Sequence, residues 1–328
     1  MIITRTPFRV SFVGGGSDLR EFYSRNGYGA VVSAAIKKYM YIIIHPYFHD
    51  KIRIKYSSTE DVYNIDDIKH PIVRECLKKV QIHRGIEIAS IADIPSGTGL
   101  GSSSAFTVGL LNALYAYQGK IVSKERLAQE ACEIEIDMLG EPIGKQDQYA
   151  AACGNLNYLR FNKDESVEVT PVVLSQQMLT SLESSLMLYY TGGSRNAGSI
   201  LTEQRHNITD EYYYNMLKQM TGFADELYSQ INNGEIESLG KMLDKGWLLK
   251  RGFSAGVTND NIDSLYNKAI EHGATGGKLL GAGGSGFLLI YSKDHDAIKE
   301  QLGCRYFPFE IDREGSKVIF YDENRVSG

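Results

Sequence analysis

The sequence predicts an α+β protein built from two domains that share a cleft. Its 328 residues exceed the roughly 100–200 residues of a typical single domain. Short β-rich runs fill residues 1–60, and segments with helical periodicity follow them. With 43% hydrophobic and 23% charged residues, the composition is that of an ordinary globular protein. No low-complexity linker marks the domain boundary, and we place it near residue 165, giving domains 1–165 and 166–328.

The first predicted domain is a sheet followed by helices. Runs of β-branched and aromatic residues separated by glycines and polar turns indicate strands, and small or apolar residues on most faces of a segment indicate a buried helix. Ser123 is a plausible N-cap, and Gly140-Glu-Pro142 ends the helix that it begins. The predicted strands are 9–13, 30–33, 39–44 and 85–90, and the predicted helices are 72–80, 102–117 and 124–139.

The second predicted domain has long polar helices and a short sheet. A strand is expected at 185–190, helices between 199 and 250, and a further helix at 261–272. Two apolar strands, 278–280 and 286–291, enclose a glycine-rich turn.

Charge, cysteine use and hydropathy exclude several classes of partner. The formal net charge of −5 argues against nucleic acid or an anionic membrane as the main partner. The four cysteines are scattered and form no C-x-x-C pair, which makes zinc unlikely and is typical of a reducing cytosol. The first residues do not resemble a secretion signal, and no apolar run approaches the ~18 residues of a membrane span. We therefore expect a cytoplasmic protein, either a monomer or a homodimer.

A glycine- and serine-rich segment follows a predicted strand and leads directly into an apolar helix. Glycines let the backbone approach a ligand and turn N–H groups inward, and the start of a helix favours negative charge. The alternative is a tight strand-to-helix turn with a serine cap. The segment is not a P-loop, because no Gly-Lys pair in the chain is followed by serine or threonine. The predicted phosphate-binding residues are Pro95, Gly97, Thr98, Gly99, Leu100, Gly101, Ser102, Ser103 and Ser104.

A second glycine-rich segment, residues 281–286, satisfies the pattern G-x-G-x-x-G of dinucleotide-binding proteins. That pattern must open a helix within a βαβ unit, whereas Gly286 leads into the strand-like run Phe-Leu-Leu-Ile-Tyr. We therefore predict a hairpin that faces the active site rather than an oxidoreductase fingerprint. A glycine turn without a ligand is the alternative.

The first predicted strand ends in three glycines, and Ser17 and Asp18 follow them with polar groups suited to sugar hydroxyls. Arg9 lies inside this apolar strand, where a charge is costly unless it meets an anion. We expect Arg9 to bind a ligand anion, with a structural ion pair as the alternative.

The segment 143–149 crowds Lys145, Asp147 and two amides into a turn or helix start. A hydroxyl that attacks a γ-phosphoryl group needs a carboxylate to orient it or take its proton, and Asp147 is the candidate. Its alternative is an acid at a helix start. Mg²⁺ prefers oxygen ligands and keeps several waters, so one carboxylate and one hydroxyl would suffice. We choose Glu135 and Ser103, although periodicity alone does not separate Glu135 from Glu133 or Asp137.

Three segments taken in order, 7–18, 95–105 and 278–286, resemble the three motifs of the GHMP kinases, and the pattern covers almost the whole chain. The resemblance implies an N-terminal domain like ribosomal protein S5 domain 2, a ferredoxin-like C-terminal domain, and ATP along the middle segment. It implies that Asp147 is catalytic and that Arg9 is the basic residue of the first motif. It also implies metal binding by Ser103 and Glu135 and substrate binding by Gly15, Gly16, Ser17, Asp18, Asp147, Gly281, Gly283 and Gly284.

The chain departs from the family pattern at two places. One extra residue lies between Pro142 and Asp147, which makes Lys145 unusual. We count Lys145 among the catalytic candidates, through contact with a phosphate or with Asp147, and a supporting salt bridge is the alternative. Ser285 stands where many relatives have glycine, and its hydroxyl should be tolerated in the turn.

Within the family, the segments 14–18, 144–149, 190–195 and 276–284 resemble bacterial D-glycero-D-manno-heptose 7-phosphate kinases, and fucokinase-type domains share parts of them. The resemblance implies transfer of the ATP γ-phosphoryl to the anomeric hydroxyl of the sugar phosphate, giving a 1,7-bisphosphate for nucleotide-activated heptose synthesis. Arg195, Lys250 and Arg251 are candidates for the substrate phosphate. Three alternatives stay open: a kinase of fucose, galactose or another sugar, a decarboxylase, and a catalytically silent sugar sensor.

Overall fold

The protein forms two β-sheets with helices packed against them. It is described by a computed structural model for residues 1–193, 198–254 and 256–322. The strands are β1 (Ile2–Val13), β2 (Tyr28–Pro46), β3 (Ile52–Lys55), β4 (Thr59–Val62), β5 (Ile86–Ala92), β6 (Leu156–Asn162), β7 (Val167–Pro171), β8 (Leu186–Tyr190), β9 (Gly276–Leu279), β10 (Phe287–Tyr291), β11 (Tyr306–Pro308) and β12 (Lys317–Tyr321). The helices are α1 (Arg20–Asn26), α2 (Pro71–Val80), α3 (Ser102–Tyr117), α4 (Lys124–Cys132), α5 (Gln146–Cys153), α6 (Gln176–Ser185), α7 (Gly198–Asn207), α8 (Glu211–Asn232), α9 (Leu239–Arg251), α10 (Asp260–Glu271) and α11 (Asp296–Leu302).

The first sheet is organised around the long strand β2. Its strand order is β12-β1-β2-β5-β3-β4, and β6 with β7 extends it from the first half of β2. The prediction of two separate strands at 30–33 and 39–44 is wrong, because β2 runs without a break through both. The strand stays whole because β1 pairs along its length on one side, while β6 pairs with its first half and β5 with its second half on the other.

The second sheet is antiparallel and has the strand order β11-β8-β10-β9. Strands β9 and β10 form a hairpin, with Leu279 opposite Leu288 and Gly276 opposite Tyr291. The predicted strand–turn–strand arrangement around the glycine-rich segment 281–286 is therefore confirmed. Because this segment opens no helix, it is not a dinucleotide fingerprint.

The α+β fold class is confirmed by these two mostly antiparallel sheets and the helices around them. The boundary near residue 165 stays a prediction. Two strands beyond it, β7 and β12, pair with β6 and β1 of the first sheet, so the end of the chain returns to the sheet where it began. This return places segments from both halves of the chain next to one another.

Helix α3 is almost wholly buried, as predicted from its apolar faces, and it packs on β1 and β2. The core around it includes Phe8, Leu110 and Ile42, and a second core surrounds Trp247 and Tyr189 of the other sheet and its helices. Among the described residues, no helix is long and apolar enough to cross a membrane.

The predicted helix 124–139 has a different second half. After α4 the chain continues as one wide π-helical turn, Glu133–Met138. Such turns insert an extra residue and shift side chains around the helix, and they occur often at functional sites. Within this turn Glu135 is only 1% exposed, whereas Glu133 pairs with Lys79 at the surface.

Candidate active site

A cleft of about 320 Å³ lies where the two halves of the chain meet. The three glycine-rich segments that sequence analysis singled out all line it. From the predicted set, the lining includes Arg9, Gly15, Gly16, Asp18, Gly97, Gly99, Gly101, Ser102, Ser103, Ser104, Asp147, Gly281 and Gly283. Residues that lie far apart in sequence are therefore brought to one place.

The segment 95–104 is a tight loop at the start of α3. Gly97, Gly99 and Gly101 have φ angles of 75°, 83° and 74°, in the left-handed region that favours glycine. The predicted residues Pro95, Thr98 and Leu100 do not line the cleft. The Thr98 hydroxyl donates to the Pro95 carbonyl at 3.0 Å, and Leu100 is buried in the core, so these residues support the loop.

The loop is braced by the hairpin turn 281–286 through backbone contact. A Cβ on Gly99 would lie 2.4 Å from the Leu280 carbonyl oxygen, and one on Gly281 would lie 2.4 Å from the Gly99 Cα. A Cβ on Gly286 would meet the Thr98 carbonyl oxygen at 2.3 Å. Because backbone atoms have little freedom to move aside, these positions require glycine. The predicted residue Gly284 is held on the other side of the turn, where its N–H donates to Val257.

Arg9 and Asp147 form a two-pronged ion pair at the centre of the cleft. The Nε of Arg9 donates to Oδ1 of Asp147 at 2.6 Å, and its Nη2 donates to Oδ2 at 2.7 Å. The remaining Nη1 donates to the Gly99 carbonyl oxygen at 2.7 Å. The Asp147 side chain is 22% exposed, whereas that of Arg9 is 7% exposed. The carboxylate is thus held in one orientation while it stays open to the cleft.

Asp18 lies beside this pair in a polar corner of the cleft. Its carboxylate accepts hydrogen bonds from the backbone N–H groups of Gly16 and Gln146, at 3.0 and 3.1 Å. Burial raises the pKa of Asp18, and the charge of Asp147 raises it further. Gly144 is needed here, because a Cβ would lie 2.1 Å from Oδ2 of Asp18. Sequence analysis did not select Gln146, whose amide Nε2 also donates to Asp18, at 3.3 Å.

Ser17 does not take part in the cleft. Its side chain is fully buried, and its hydroxyl donates to the Ala30 carbonyl and accepts from the Ala30 N–H, at 2.9 and 3.0 Å. The prediction that Ser17 contacts substrate is corrected, because both roles of its hydroxyl are already used in fixing the turn after β1. Gly15 and Gly16 remain at the cleft wall.

Ser103 and Glu135, the two residues predicted to hold a metal ion, are hydrogen-bonded to each other. The Ser103 hydroxyl donates to Oε1 of Glu135 at 2.7 Å, and the amide of Gln148 donates to Oε2 at 2.6 Å. Burial raises the pKa of Glu135. The described residues hold no group of three or more metal-ligating side chains. Mg²⁺ commonly takes only one or two ligands from the protein and the others from nucleotide phosphates and water. The hydroxyl of Ser103 and the carboxylate of Glu135 therefore fit this ion.

Lys145 points away from the cleft. Its ammonium donates to the backbone carbonyl of Glu165 at 2.9 Å and pairs with the carboxylate of the same residue, and it lies over the Tyr23 ring. This geometry agrees with the salt-bridge alternative and not with contact to a phosphate or to Asp147.

Two lysines from the second half of the chain do line the cleft. They are Lys250, at the end of α9, and Lys278, in β9. Sequence analysis named Lys250 but missed Lys278. Lys278 could have been found in the sequence, because a lysine in a short apolar strand, like Arg9, is costly to bury unless it meets an anion. Arg251 pairs with Asp263 at 2.8 Å and does not line the cleft. Arg195 lies outside the described residues.

Two family models match the chain. The model described as "GHMP kinases N terminal domain" matches residues 69–155, and the one described as "GHMP kinases C terminal" matches residues 227–308. The first match contains the phosphate loop and Asp147, and the second contains both cleft lysines and the hairpin turn.

Individual relatives are similar over most of the chain. A D-glycero-alpha-D-manno-heptose 7-phosphate kinase of Campylobacter jejuni is 29% identical over 316 residues, which is 91% of this chain and 92% of the relative. A bifunctional fucokinase/GDP-fucose pyrophosphorylase of Arabidopsis thaliana is 26% identical over 90% of this chain, which spans 30% of that relative. The crystal structure of a D-glycero-D-manno-heptose 1-phosphate kinase from Bacteriodes thetaiotaomicron superposes with a TM-score of 0.78 at 23% identity, covering 98% of this chain and 100% of the other, and shows the same fold.

Proposed function

Because the chain belongs to the GHMP kinases, we propose that it transfers the γ-phosphoryl group of ATP to the anomeric hydroxyl of D-glycero-D-manno-heptose 7-phosphate. The product would be the 1,7-bisphosphate used in making nucleotide-activated heptose. One observation carries the proposal. The ion pair of Arg9 and Asp147 lies against Gly99 and Gly101 of the phosphate loop, where a nucleotide's terminal phosphate and an acceptor hydroxyl can meet.

The loop supplies the nucleotide site. Its glycines allow close approach of the backbone, and the start of α3 favours the negative charge of the triphosphate. Ser103 and Glu135 would hold Mg²⁺ together with the phosphates, and the ion would neutralise part of their charge. Arg9, already beside the loop, adds a positive charge where the transferred group would pass.

Asp147 supplies the acceptor site with its carboxylate. Each oxygen accepts one hydrogen bond from Arg9 and has a further lone pair for the acceptor hydroxyl. In the transfer, the acceptor oxygen forms a bond to the γ-phosphorus while the bond from that phosphorus to the β–γ bridging oxygen breaks. ADP leaves with that electron pair, and Asp147 orients the hydroxyl and takes its proton.

The choice of sugar rests on the relative from Campylobacter jejuni and on the corner around Asp18. The hydroxyl of Ser11 and the Oε1 of Gln146 are buried there and find no hydrogen-bond partner among the described residues. With Asp18 they form a polar patch suited to several sugar hydroxyls. The bifunctional fucokinase keeps fucose as an alternative acceptor, and a galactokinase that is 25% identical over 89% of this chain keeps galactose as another.

The deciding experiment is ADP release measured with heptose 7-phosphate, free heptose, fucose and galactose. We expect the highest kcat/KM with heptose 7-phosphate. A higher kcat/KM with an unphosphorylated sugar would identify that sugar as the substrate. Release of CO₂ with a mevalonate diphosphate would indicate the decarboxylase alternative, and no ADP release with any acceptor would indicate a silent sugar sensor.

Replacing Lys145 by methionine should leave catalysis nearly intact. The side chain contacts Glu165 and Tyr23 and not the cleft, so we expect kcat to change less than the 10²-fold or more that follows loss of a catalytic acid or base. The lost ion pair and hydrogen bond should lower the free energy of unfolding by about 1–2 kcal/mol. Steady-state kinetics and urea unfolding would measure the two effects. A large fall in kcat with unchanged stability would restore the catalytic assignment.

A further inference from the structure

The two cleft lysines, Lys250 and Lys278, come from different elements and are unusually placed for cations. Lys278 is 4% exposed and Lys250 is partly buried, and both side chains line the cleft. Nothing in the loop or in the pair of Arg9 and Asp147 requires them. A buried cation is costly unless it is paired or bound, so their position calls for an explanation.

Both lysines are held on backbone carbonyls. The Nζ of Lys278 donates to the Phe12 carbonyl at 3.0 Å, and the Nζ of Lys250 donates to the Gly281 carbonyl. Among the described residues, no carboxylate forms an ion pair with either ammonium group. Each ammonium has three donors, so each can offer two more hydrogen bonds to a ligand.

The local charge balance favours an anion beside them. Arg9 is paired with the carboxylate of Asp147 and donates a hydrogen bond to each of its two oxygens, so this carboxylate already balances the charge of Arg9. Burial lowers the pKa of Lys250 to about 8, and the charge of Arg9 adds to this. The pKa of Lys278 is lowered by burial first and then by the charges of Lys250 and Arg9. A bound anion would offset each of these effects.

The carbonyls that hold the lysines identify where that anion would lie. Gly281 is in backbone contact with Gly99 of the phosphate loop, and Phe12 lies on the same strand as Arg9. The Nη1 of Arg9 is itself bound to the Gly99 carbonyl. Because the charges of Arg9, Lys250 and Lys278 influence one another, the three cations lie together in the cleft, on the side of the loop where Arg9 pairs with Asp147.

We propose that Lys250 and Lys278 bind the oxygens of the phosphoryl group that is transferred from ATP. The proposal rests on the proposed kinase function and adds the residues that carry the charge of the transferred group. The lysines form no covalent bond: the phosphorus passes from the bridging oxygen of ATP to the acceptor oxygen while its outer oxygens stay bound to them. The phosphate of the acceptor would be the other source of the same chemistry.

Nucleotide binding without an acceptor tests the proposal. We would measure the affinities of ADP and AMP-PNP for the wild type, Lys250→Met and Lys278→Met by calorimetry with Mg²⁺ present. Each variant should bind AMP-PNP about 10-fold or more weakly, because hydrogen bonds to charged groups are lost, and should bind ADP as the wild type does. Lys241→Met, on an exposed position of the same helix, is the matched control and should change neither affinity.

Other outcomes would contradict either the assignment of the lysines or the proposed kinase function. Unchanged AMP-PNP affinity in Lys250→Met, or equal loss of both nucleotides, overturns the proposal. Selective loss of affinity for heptose 7-phosphate relative to free heptose assigns the lysines to the acceptor phosphate and also overturns it. A wild-type protein that binds neither nucleotide refutes the kinase function itself. Lys250→Arg should restore most of the AMP-PNP affinity, which separates a charge effect from misfolding of the methionine variants.

The pH dependence gives a second measurement. The groups around the Lys250 ammonium are Arg9 of β1 and Lys278 of β9, with Asp147 across the cleft. Because the pKa of Lys250 is about 8, its charge is present below that pH and is lost above it. We expect kcat/KM, which reports the free enzyme, to fall about 10-fold per pH unit above pH 8. In Lys250→Arg the profile should change, because Lys278 is then the only titrating lysine of the pair, and an unchanged profile would contradict the assignment.

Discussion

Replacing Asp147 by asparagine is expected to lower kcat by about 10²- to 10⁴-fold, the usual contribution of a positioned acid or base. The amide keeps the size of the side chain and one oxygen for Arg9, but it cannot take a proton from the acceptor hydroxyl. The affinity for ATP should change little, because the phosphate loop and the Ser103–Glu135 pair are untouched. Single-turnover kinetics and equilibrium binding of AMP-PNP would measure the two quantities separately.

A folding measurement and a control variant are needed to interpret a loss of kcat in Asp147→Asn. A melting temperature close to that of the wild type would show that the partly unpaired Arg9 does not unfold the cleft. Lys145→Met serves as the matched control, since it changes a charged residue only two positions away that faces Glu165. A kcat within a few-fold of the wild type in the asparagine variant, or an equal loss of ATP affinity, would remove Asp147 from the chemical step.

Replacing Gly99 by alanine is expected to abolish tight nucleotide binding. The φ angle of 83° costs an alanine about 1–2 kcal/mol on its own, and its Cβ would lie 2.4 Å from the Leu280 carbonyl oxygen. Neither backbone segment can yield without moving the loop or the hairpin turn. We expect the affinity for AMP-PNP to fall by at least about 10-fold, which corresponds to 1.4 kcal/mol. Calorimetry would measure it.

Gly234 provides a matched control for this substitution. Its φ angle of 84° is nearly the same, but a Cβ there would meet nothing within 4 Å. Gly234→Ala should therefore show the backbone strain alone, as a lowered free energy of unfolding with unchanged nucleotide affinity. If both variants lose affinity equally, contact between the loop and the turn does not shape the nucleotide site. If neither does, the loop is not the nucleotide site.

Local patterns in the sequence were enough to predict much of the fold and of the site. Helix α3, with its small apolar faces, and the hairpin of β9 and β10 follow from periodicity and glycine punctuation, and both are confirmed. The break predicted within β2 is wrong because the continuity of that strand depends on partners from other parts of the chain. A single-sequence pattern contains no information on those pairings.

Charge alone does not tell which side chains face the cleft. Lys145 and Asp147 are two residues apart, yet one binds Glu165 and the other Arg9. Glu133 and Glu135 lie in one π-helical turn that no periodicity indicates, yet only Glu135 is buried. Whether a charge is buried, paired or open depends on the neighbours that packing supplies.

By itself, the sequence predicted the fold class, the glycine-rich loops, and Arg9 and Asp147 as candidates, because these patterns involve residues near one another in the chain. The tertiary structure decided which cations line the cleft. It paired Lys145 with Glu165 outside the cleft and brought Lys278 into the cleft, where its partner carbonyl on Phe12 is 266 positions away in sequence. The physical reason is that a side chain's direction and charge state follow from contacts between distant segments, and these exist only once the two sheets have packed together.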